Sequence, residues 1–176
     1  METRVPLLGE PVPVELMNTI RADRDGVHDA LGDPAGTRRG CARSRPALRG
    51  LAAAATGDPR PAAVSAVTEL QNAVTAVNEA AGLAPSWPTL AWAPGREPRR
   101  LLRSTDQGAQ TAISVIAEQE IALFSQEDRL GLRASMAPGC VLHFLNEHPR
   151  REWCSAACGN RAGVARHYEH HRNTPA

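Results

Sequence analysis

The chain has 176 residues and a formal net charge of +1, enough for about one domain with a small appended module. Because the whole chain is neither strongly basic nor acidic, any nucleic-acid surface has to be local. No apolar run approaches the roughly 20 residues that a membrane span needs. The first ten residues also lack a signal-peptide core. We therefore expect a cytoplasmic protein with no membrane partner.

Aromatic residues are scarce, with three Trp, two Phe and one Tyr, so the core has to be built from Leu, Ala, Val and Ile. Such a core favours packed helices, and the predicted fold class is mainly α. Residues 7–21 begin as an extended segment and then show helical spacing at Val14, Met17 and Ile20. Residues 22–45 are charged and rich in glycine, which predicts loops or short helices.

Two helices are predicted next. Residues 46–56 are rich in alanine and stop at Gly57. A second, amphipathic helix is predicted from Pro61 to Gly82. Its apolar residues step by three and four, which is typical of a face that packs into the core: Val64, Val67, Leu70, Val74, Val77 and Ala81.

Residues 89–103 predict a short β-hairpin around Pro94 and Gly95, whose prolines allow only edge strands. Ser104 or Thr105 is then expected to cap a long helix. The predicted apolar side of that helix comprises Ala109, Ala112, Ile113, Ile116, Ile121 and Phe124. Another helical turn is expected within 127–133. We place a domain boundary there, giving a helical domain at 1–133 and a small module at 134–176.

Three of the four cysteines fall in this last module, at Cys140, Cys154 and Cys158. In a reducing compartment, clustered cysteines indicate metal binding before disulfides. Zinc takes four ligands in a tetrahedron, and closely spaced cysteines supply two of them from one short loop. The alternative is that these cysteines are simply small buried residues. We predict a zinc module, held together by the metal because it is too small to fold by burial alone.

The residues around the last two cysteines resemble the signature of the CGNR zinc finger. The resemblance rests on 153–155 (WCS) and 158–161 (CGNR), and it continues through 162–168, although Gly163 stands where a basic residue is usual. The upstream region is similar to the ABATE-type domain that precedes this finger, on residues 8–11, 15–19 and 92–104. The resemblance implies a stress-induced transcriptional regulator that binds DNA.

The family pattern has four cysteines. In this chain, the position of the first of them is occupied by Ser135. A neutral serine hydroxyl is a poor zinc ligand. The candidate replacements are His143, His148 and the pair His167 and His171, which lie four apart on one helical face. We select His148, in the loop before the cysteine pair, as the fourth ligand. For any single histidine, a solvated or phosphate-facing side chain is the alternative.

Ser155 is placed to cap a final helix running to about Arg172. This tail concentrates arginine and histidine, and arginine suits both phosphates and guanine edges. The predicted contacts with double-stranded DNA are Arg150, Arg151, Asn160, Arg161, Arg166, His167, His170 and Arg172. The alternatives are an ordinary solvated helix, and a structural role for Asn160 and Arg161 in closing the cysteine loop.

Three functions remain open from the sequence. The first is a DNA-binding transcriptional regulator, with a possible homodimer and a possible small-molecule effector. The second is a ligand-sensing or protein-interaction protein in which the zinc module is purely structural, marked by a deep apolar pocket near Trp87 and Trp92. The third is an enzyme. We expect no enzymatic activity, because no general base, phosphate loop or catalytic triad is evident in the sequence.

Overall fold

The computed structural model describes residues 7–23, 25–31, 37–60, 67, 69–106 and 108–172; for 23 and 37–43 only the backbone is described. Within these residues the helices are α1 (Val12–Met17), α2 (Thr37–Thr56), α3 (Leu70–Ala81), α4 (Ala109–Ser125), α5 (Asp128–Gly131) and α6 (Ala156–Arg172). The strands are β1 (Ile20–Asp23), β2 (Gly26–Asp29), β3 (Ser86–Ala91), β4 (Arg99–Ser104), β5 (Leu132–Ala134) and β6 (His143–Leu145). No described helix has the length and apolar character to traverse a bilayer.

The strands form three separate antiparallel pairs, β1–β2, β3–β4 and β5–β6. The helices carry the packing, since α2, α3 and α4 contact one another and α1 packs on α2 and α4. The mainly helical composition with small hairpins and a C-terminal helix is therefore confirmed. The layout of the N-terminal part differs from the prediction in several places.

The prediction of loops or short helices at 22–45 is wrong for the second half of this segment. Helix α2 already begins at Thr37 and continues through Pro46. Tertiary contacts account for this extension. Arg45 is buried and forms a two-pronged ion pair with Asp29 at the end of β2. The β1–β2 hairpin that presents Asp29 was not predicted.

Helix α3 begins at Leu70 and ends at Ala81 with Gly82 as its C-cap, which confirms the predicted end of that helix. Of the predicted first turns, 61–66, including Val64, and 68 lie outside the described residues, whereas 67 and 69 are described and are not helical, so the predicted start is wrong there. Val67 is described and packs against the small cluster formed by Ala47, Ala73 and Val77. This cluster joins α2 to α3.

The prediction for α4 is wrong at its start and only partly right on its buried face, where Ile116 and Phe124 pack against the core as predicted. The helix begins after Gly108, and Ser104 instead ends β4, where its hydroxyl donates to the Pro85 carbonyl oxygen at 2.9 Å. The buried residues are Ser114, Ala117, Glu120 and Leu123, whereas Ile121 is 38% exposed. Of these, Ser114 contacts α3, because its hydroxyl donates to the Ala80 carbonyl oxygen at 3.1 Å.

The hairpin predicted within 89–103 is confirmed, with Trp87 opposite Arg103 and Leu90 opposite Arg100. Its turn places Gly95 at a φ of 73°, in the left-handed region that favours glycine. Both strands are edge strands because the sheet has only two, as their prolines require. Trp87 and Trp92 are exposed on this hairpin rather than set in a pocket.

The C-terminal module shares its core with the rest of the chain. Leu132 from β5 and Leu145 from β6 belong to the same buried cluster as Val14, Met17 and Leu48. Strand β5 crosses the predicted boundary between 133 and 134, and that boundary stays a prediction. What the structure adds is a shared hydrophobic core, which supports the module alongside any metal.

Candidate metal centre

The three cysteines are positioned by one turn and one helix start. Cys140 follows Gly139, whose φ of 70° suits a tight turn, and its amide donates to the Ala137 carbonyl oxygen at 2.9 Å. Cys154 precedes α6 and Cys158 lies in its first turn. The Ser155 hydroxyl accepts from the Cys158 amide at 3.3 Å, which confirms the predicted helix cap.

The three sulfurs form a nearly regular triangle. The Sγ–Sγ distances are 3.7 Å for Cys140–Cys154, 3.3 Å for Cys154–Cys158 and 3.6 Å for Cys158–Cys140. A disulfide would need about 2.05 Å. Around a tetrahedral zinc with Zn–S bonds of about 2.3 Å, neighbouring sulfurs lie roughly 3.8 Å apart. All three cysteines are buried and could hold a metal ion together.

The electrostatics of the triangle favour a thiolate at Cys140. Hydrogen bonding from Cys154, with further contributions from Ser135, the Leu142 amide and Cys158, lowers the pKa of Cys140 to about 5. The same contact raises the pKa of Cys154, because one sulfur of the pair then holds the proton. Zinc binds thiolates, so this cluster is prepared to exchange its protons for a metal.

Ser135 occupies the position beside the triangle where the family pattern has a cysteine. It is fully buried, and its amide donates to the Leu142 carbonyl oxygen at 2.9 Å. Its hydroxyl lies near enough to help lower the pKa of Cys140. Even so, its Oγ makes no hydrogen bond of ordinary geometry within the described residues. The fold thus leaves a buried hydroxyl without a hydrogen-bond partner beside the cysteines, although a neutral hydroxyl is a poor zinc ligand.

The structure does not bring His148 into this group. Its side chain is exposed, and its Nδ1 accepts from the Arg150 amide at 3.2 Å. His143 is buried on β6 beside Asp58, where burial and the charges of Arg49 and Arg60 lower its pKa to about 3. His167 and His171 lie along α6 with their Nε2 atoms 3.1 Å apart. Among the described residues, the potential metal group comprises the three cysteines alone.

Two arginines, Arg60 and Arg161, contact the cysteine cluster. Arg60 donates to the carbonyl oxygens of Cys140 at 2.5 Å and Ser135 at 3.2 Å, while it is paired with the buried Asp58. Arg161 donates to the Cys158 sulfur at 3.0 Å. These contacts fix the ligand loop and place positive charge beside the thiolates. The Arg60 contact was not predicted from the sequence, where the residues just before it indicated only the end of a helix.

The residues predicted to contact DNA divide into two groups. Those with exposed side chains are Arg150, Asn160, Arg161, Arg166, His167, His170 and Arg172. Arg151 is different, because its guanidinium donates to Glu10 at 2.5 Å and to the Leu145 carbonyl oxygen at 3.0 Å. It also lies 4.8 Å from the centre of the Phe144 ring. Arg151 therefore links the C-terminal module to the N-terminal segment through Glu10.

The geometry defines a small cysteine-based zinc module that ends in a helix. Residues 132–171, which are 40 of the chain's 176, match the model of the CGNR zinc finger family. A comparison with curated proteins gave no match. The segment is thus a CGNR zinc finger whose three close, buried cysteines could hold a metal ion, consistent with Zn²⁺. The match does not extend into residues 1–131, where the ABATE-like domain stays a prediction.

Proposed function

We propose that the protein is a non-enzymatic transcriptional regulator that contacts duplex DNA with helix α6 of its zinc finger. The observation that carries the proposal is the exposed side of α6. At 100° per residue, Arg161, Val164, Tyr168 and Arg172 share one side of this 17-residue helix. Cys158 and Ala162 are buried on the side that faces the cysteine cluster. The finger therefore presents cationic and apolar groups on a helix anchored at its start.

The exposed composition of α6 suits a DNA groove. Val164 is 57% exposed and Tyr168 is 71% exposed, so neither serves the protein's own core. Apolar side chains contact thymine methyl groups, and arginines bind phosphates or guanine edges. A zinc-anchored helix in the major groove is an established mode of recognition.

A recess at the start of α6 carries two arginines within a mainly apolar lining. It has a volume of about 450 Å³, and Arg21 from β1, Arg161, and Ser155 and Ala157 at the helix start line it together with apolar residues such as Leu8 and Leu142. The Nε of Arg21 is buried and makes no hydrogen bond among the described residues. Two guanidinium groups beside a helix N-terminus form a favourable setting for a phosphate of the DNA backbone.

The test is a salt series of fluorescence anisotropy with a random-sequence duplex and zinc-loaded protein. Arg172→Ala is the informative variant, because Arg172 lies on this side of α6 and hydrogen-bonds no cysteine among the described residues. The substitution should weaken binding by roughly three- to tenfold near 0.1 M salt and reduce the salt slope by about one. Arg129→Ala, which removes an exposed arginine from α5, is the matched control. Binding that Arg172→Ala leaves unchanged would contradict the proposed surface.

A second candidate function is protein interaction with a purely structural zinc site. Its support is the β3–β4 hairpin, where Leu90 is 72% exposed and Trp92 is 70% exposed. Exposed apolar side chains clustered on one element are typical of interfaces. This function predicts no duplex binding, together with a change in oligomeric state or partner binding in a Leu90→Ser, Trp92→Ser variant. Light scattering of both proteins distinguishes the two candidates.

A further inference from the structure

Glu120 is a buried carboxylate that the finger does not use. It lies on α4, fully buried, and neither of its oxygens makes a hydrogen bond among the described residues. The other polar residue of the same stripe, Ser114, is fully satisfied. Its hydroxyl donates to the Ala80 carbonyl oxygen at 3.1 Å and accepts from the Ala84 amide at 2.9 Å. Because an unpaired buried carboxylate is costly, Glu120 needs an explanation.

Glu120 lines a cavity between three helices. The cavity is open to solvent, has a volume of about 210 Å³ and is mainly apolar. Its apolar walls are Leu51 from α2, Val74 and Val77 from α3, and Ile121 and Phe124 from α4, and Asn78 and Ser125 also line it. An apolar cavity of roughly 150 Å³ can hold a benzene molecule. The space here therefore suits one ring or branched chain with a short extension.

We propose that this cavity binds a small apolar molecule carrying one protonated amine, which pairs with the Glu120 carboxylate. Small-molecule sites are typically apolar recesses with a few polar groups that fix orientation, and a single carboxylate among aliphatic walls selects a cation. Pairing would also remove the cost of burial, which now raises the pKa of Glu120 to about 7. The site lies apart from the cysteines and from α6, so it is independent of the proposed DNA contact.

The test uses three amines that differ in their apolar part as probes: 2-phenylethylamine with an aromatic ring, cyclohexylmethylamine with a saturated ring, and isoamylamine with a branched chain. Each is titrated at pH 8 into the zinc-loaded full chain and followed by calorimetry, with neutral 2-phenylethanol as the uncharged comparator. At least one amine should bind saturably, and at least tenfold more tightly than the alcohol. Glu120→Gln, which keeps the shape and removes the charge, should abolish this preference. Glu118→Gln, on the exposed side of the same helix, should retain it.

The two phenylalanines provide an internal check on the location. With ring-labelled Phe, the NMR signal of Phe124 in the cavity wall should shift on titration, and that of Phe144 in the finger core should not. Saturable binding lost in Glu120→Gln, with a shift confined to Phe124, supports the site. Absence of binding by all three amines, equal binding of the alcohol, or equal binding by Glu120→Gln overturns it.

Discussion

Asn18 and His143 exchange a pair of hydrogen bonds across 125 residues of sequence. The Asn18 side-chain nitrogen donates to the His143 carbonyl oxygen at 2.9 Å, and its side-chain oxygen accepts from the His143 amide at 2.8 Å. Both residues are buried. The Asn18 side chain thus makes the two backbone hydrogen bonds with β6 that a neighbouring strand would make. These bonds attach the finger to the end of α1.

Replacing Asn18 with alanine should therefore destabilise the whole chain. The change leaves the buried amide and carbonyl of His143 without partners, at a cost of about 2–4 kcal/mol. Denaturant unfolding of the zinc-loaded protein at pH 7 measures this. Asn72→Ala, on the exposed side of α3, is the control and should change stability by no more than about 0.5 kcal/mol. Equal effects of the two substitutions would show that the hydrogen bonds between Asn18 and His143 contribute nothing to the free energy of unfolding.

The contacts within short segments could be predicted from the sequence, because the residues that form them are neighbours in the chain. The Ser155 cap, the hairpin turn at Gly95 and the grouping of Cys154 with Cys158 are of this kind. They depend on backbone geometry and side-chain reach over a few residues. Local chemistry therefore identified the cysteines and the final helix.

Contacts between distant segments could not be predicted in this way. In α4, periodicity indicated the isoleucine-rich side, but contacts with α2 and α3 leave Ile116 and Phe124 only partly buried and bury Glu120 fully. Arg60 reaches residues 75 and 80 positions further along the chain. His148 was chosen by its reach along the sequence, and the fold leaves it exposed. Each of these outcomes is decided by tertiary packing.

Replacing Ser135 with cysteine should strengthen zinc binding. The hydroxyl is buried beside the three sulfurs and has no hydrogen-bond partner within the described residues, so a fourth thiolate would complete a four-cysteine site. We expect the zinc affinity to rise by roughly tenfold or more, measured by competition with a chromophoric chelator. Ser125→Cys, which adds a thiol on α4, controls for adventitious binding. An unchanged affinity would place the fourth ligand elsewhere.

Arg161 should affect zinc as well as DNA, because it donates to the Cys158 sulfur at 3.0 Å. Arg161→Ala removes this charge-assisted hydrogen bond and should weaken zinc binding by about tenfold, while Arg161→Lys should lose less. Arg166→Ala, on the same helix, should keep the native zinc affinity. The chelator competition again provides the measurement. If Arg161→Ala binds zinc normally, the contact does not act on the metal, and any loss of DNA binding then reports on the surface alone.

The buried Glu120 should give the protein a distinctive pH dependence. Burial raises its pKa to about 7 from an ordinary 4.5, so folding favours the protonated form. Its contribution is fully favourable below pH 4.5 and is lost as the pH rises through 7, a change of about 3 kcal/mol. Glu120→Gln cannot ionise, so its stability relative to the native protein should increase from pH 4.5 to about 7 and then level off.

Unfolding of both proteins in denaturant across this pH range measures the difference. Loss of zinc at low pH lowers the stability of both proteins equally, so it cancels in the difference between them. Glu118→Gln should show no such rise, because its carboxylate is exposed. Parallel pH profiles for Glu120→Gln and the native protein would mean that Glu120 is ionised at little cost in the fold, and thus that a partner outside the described residues already neutralises it.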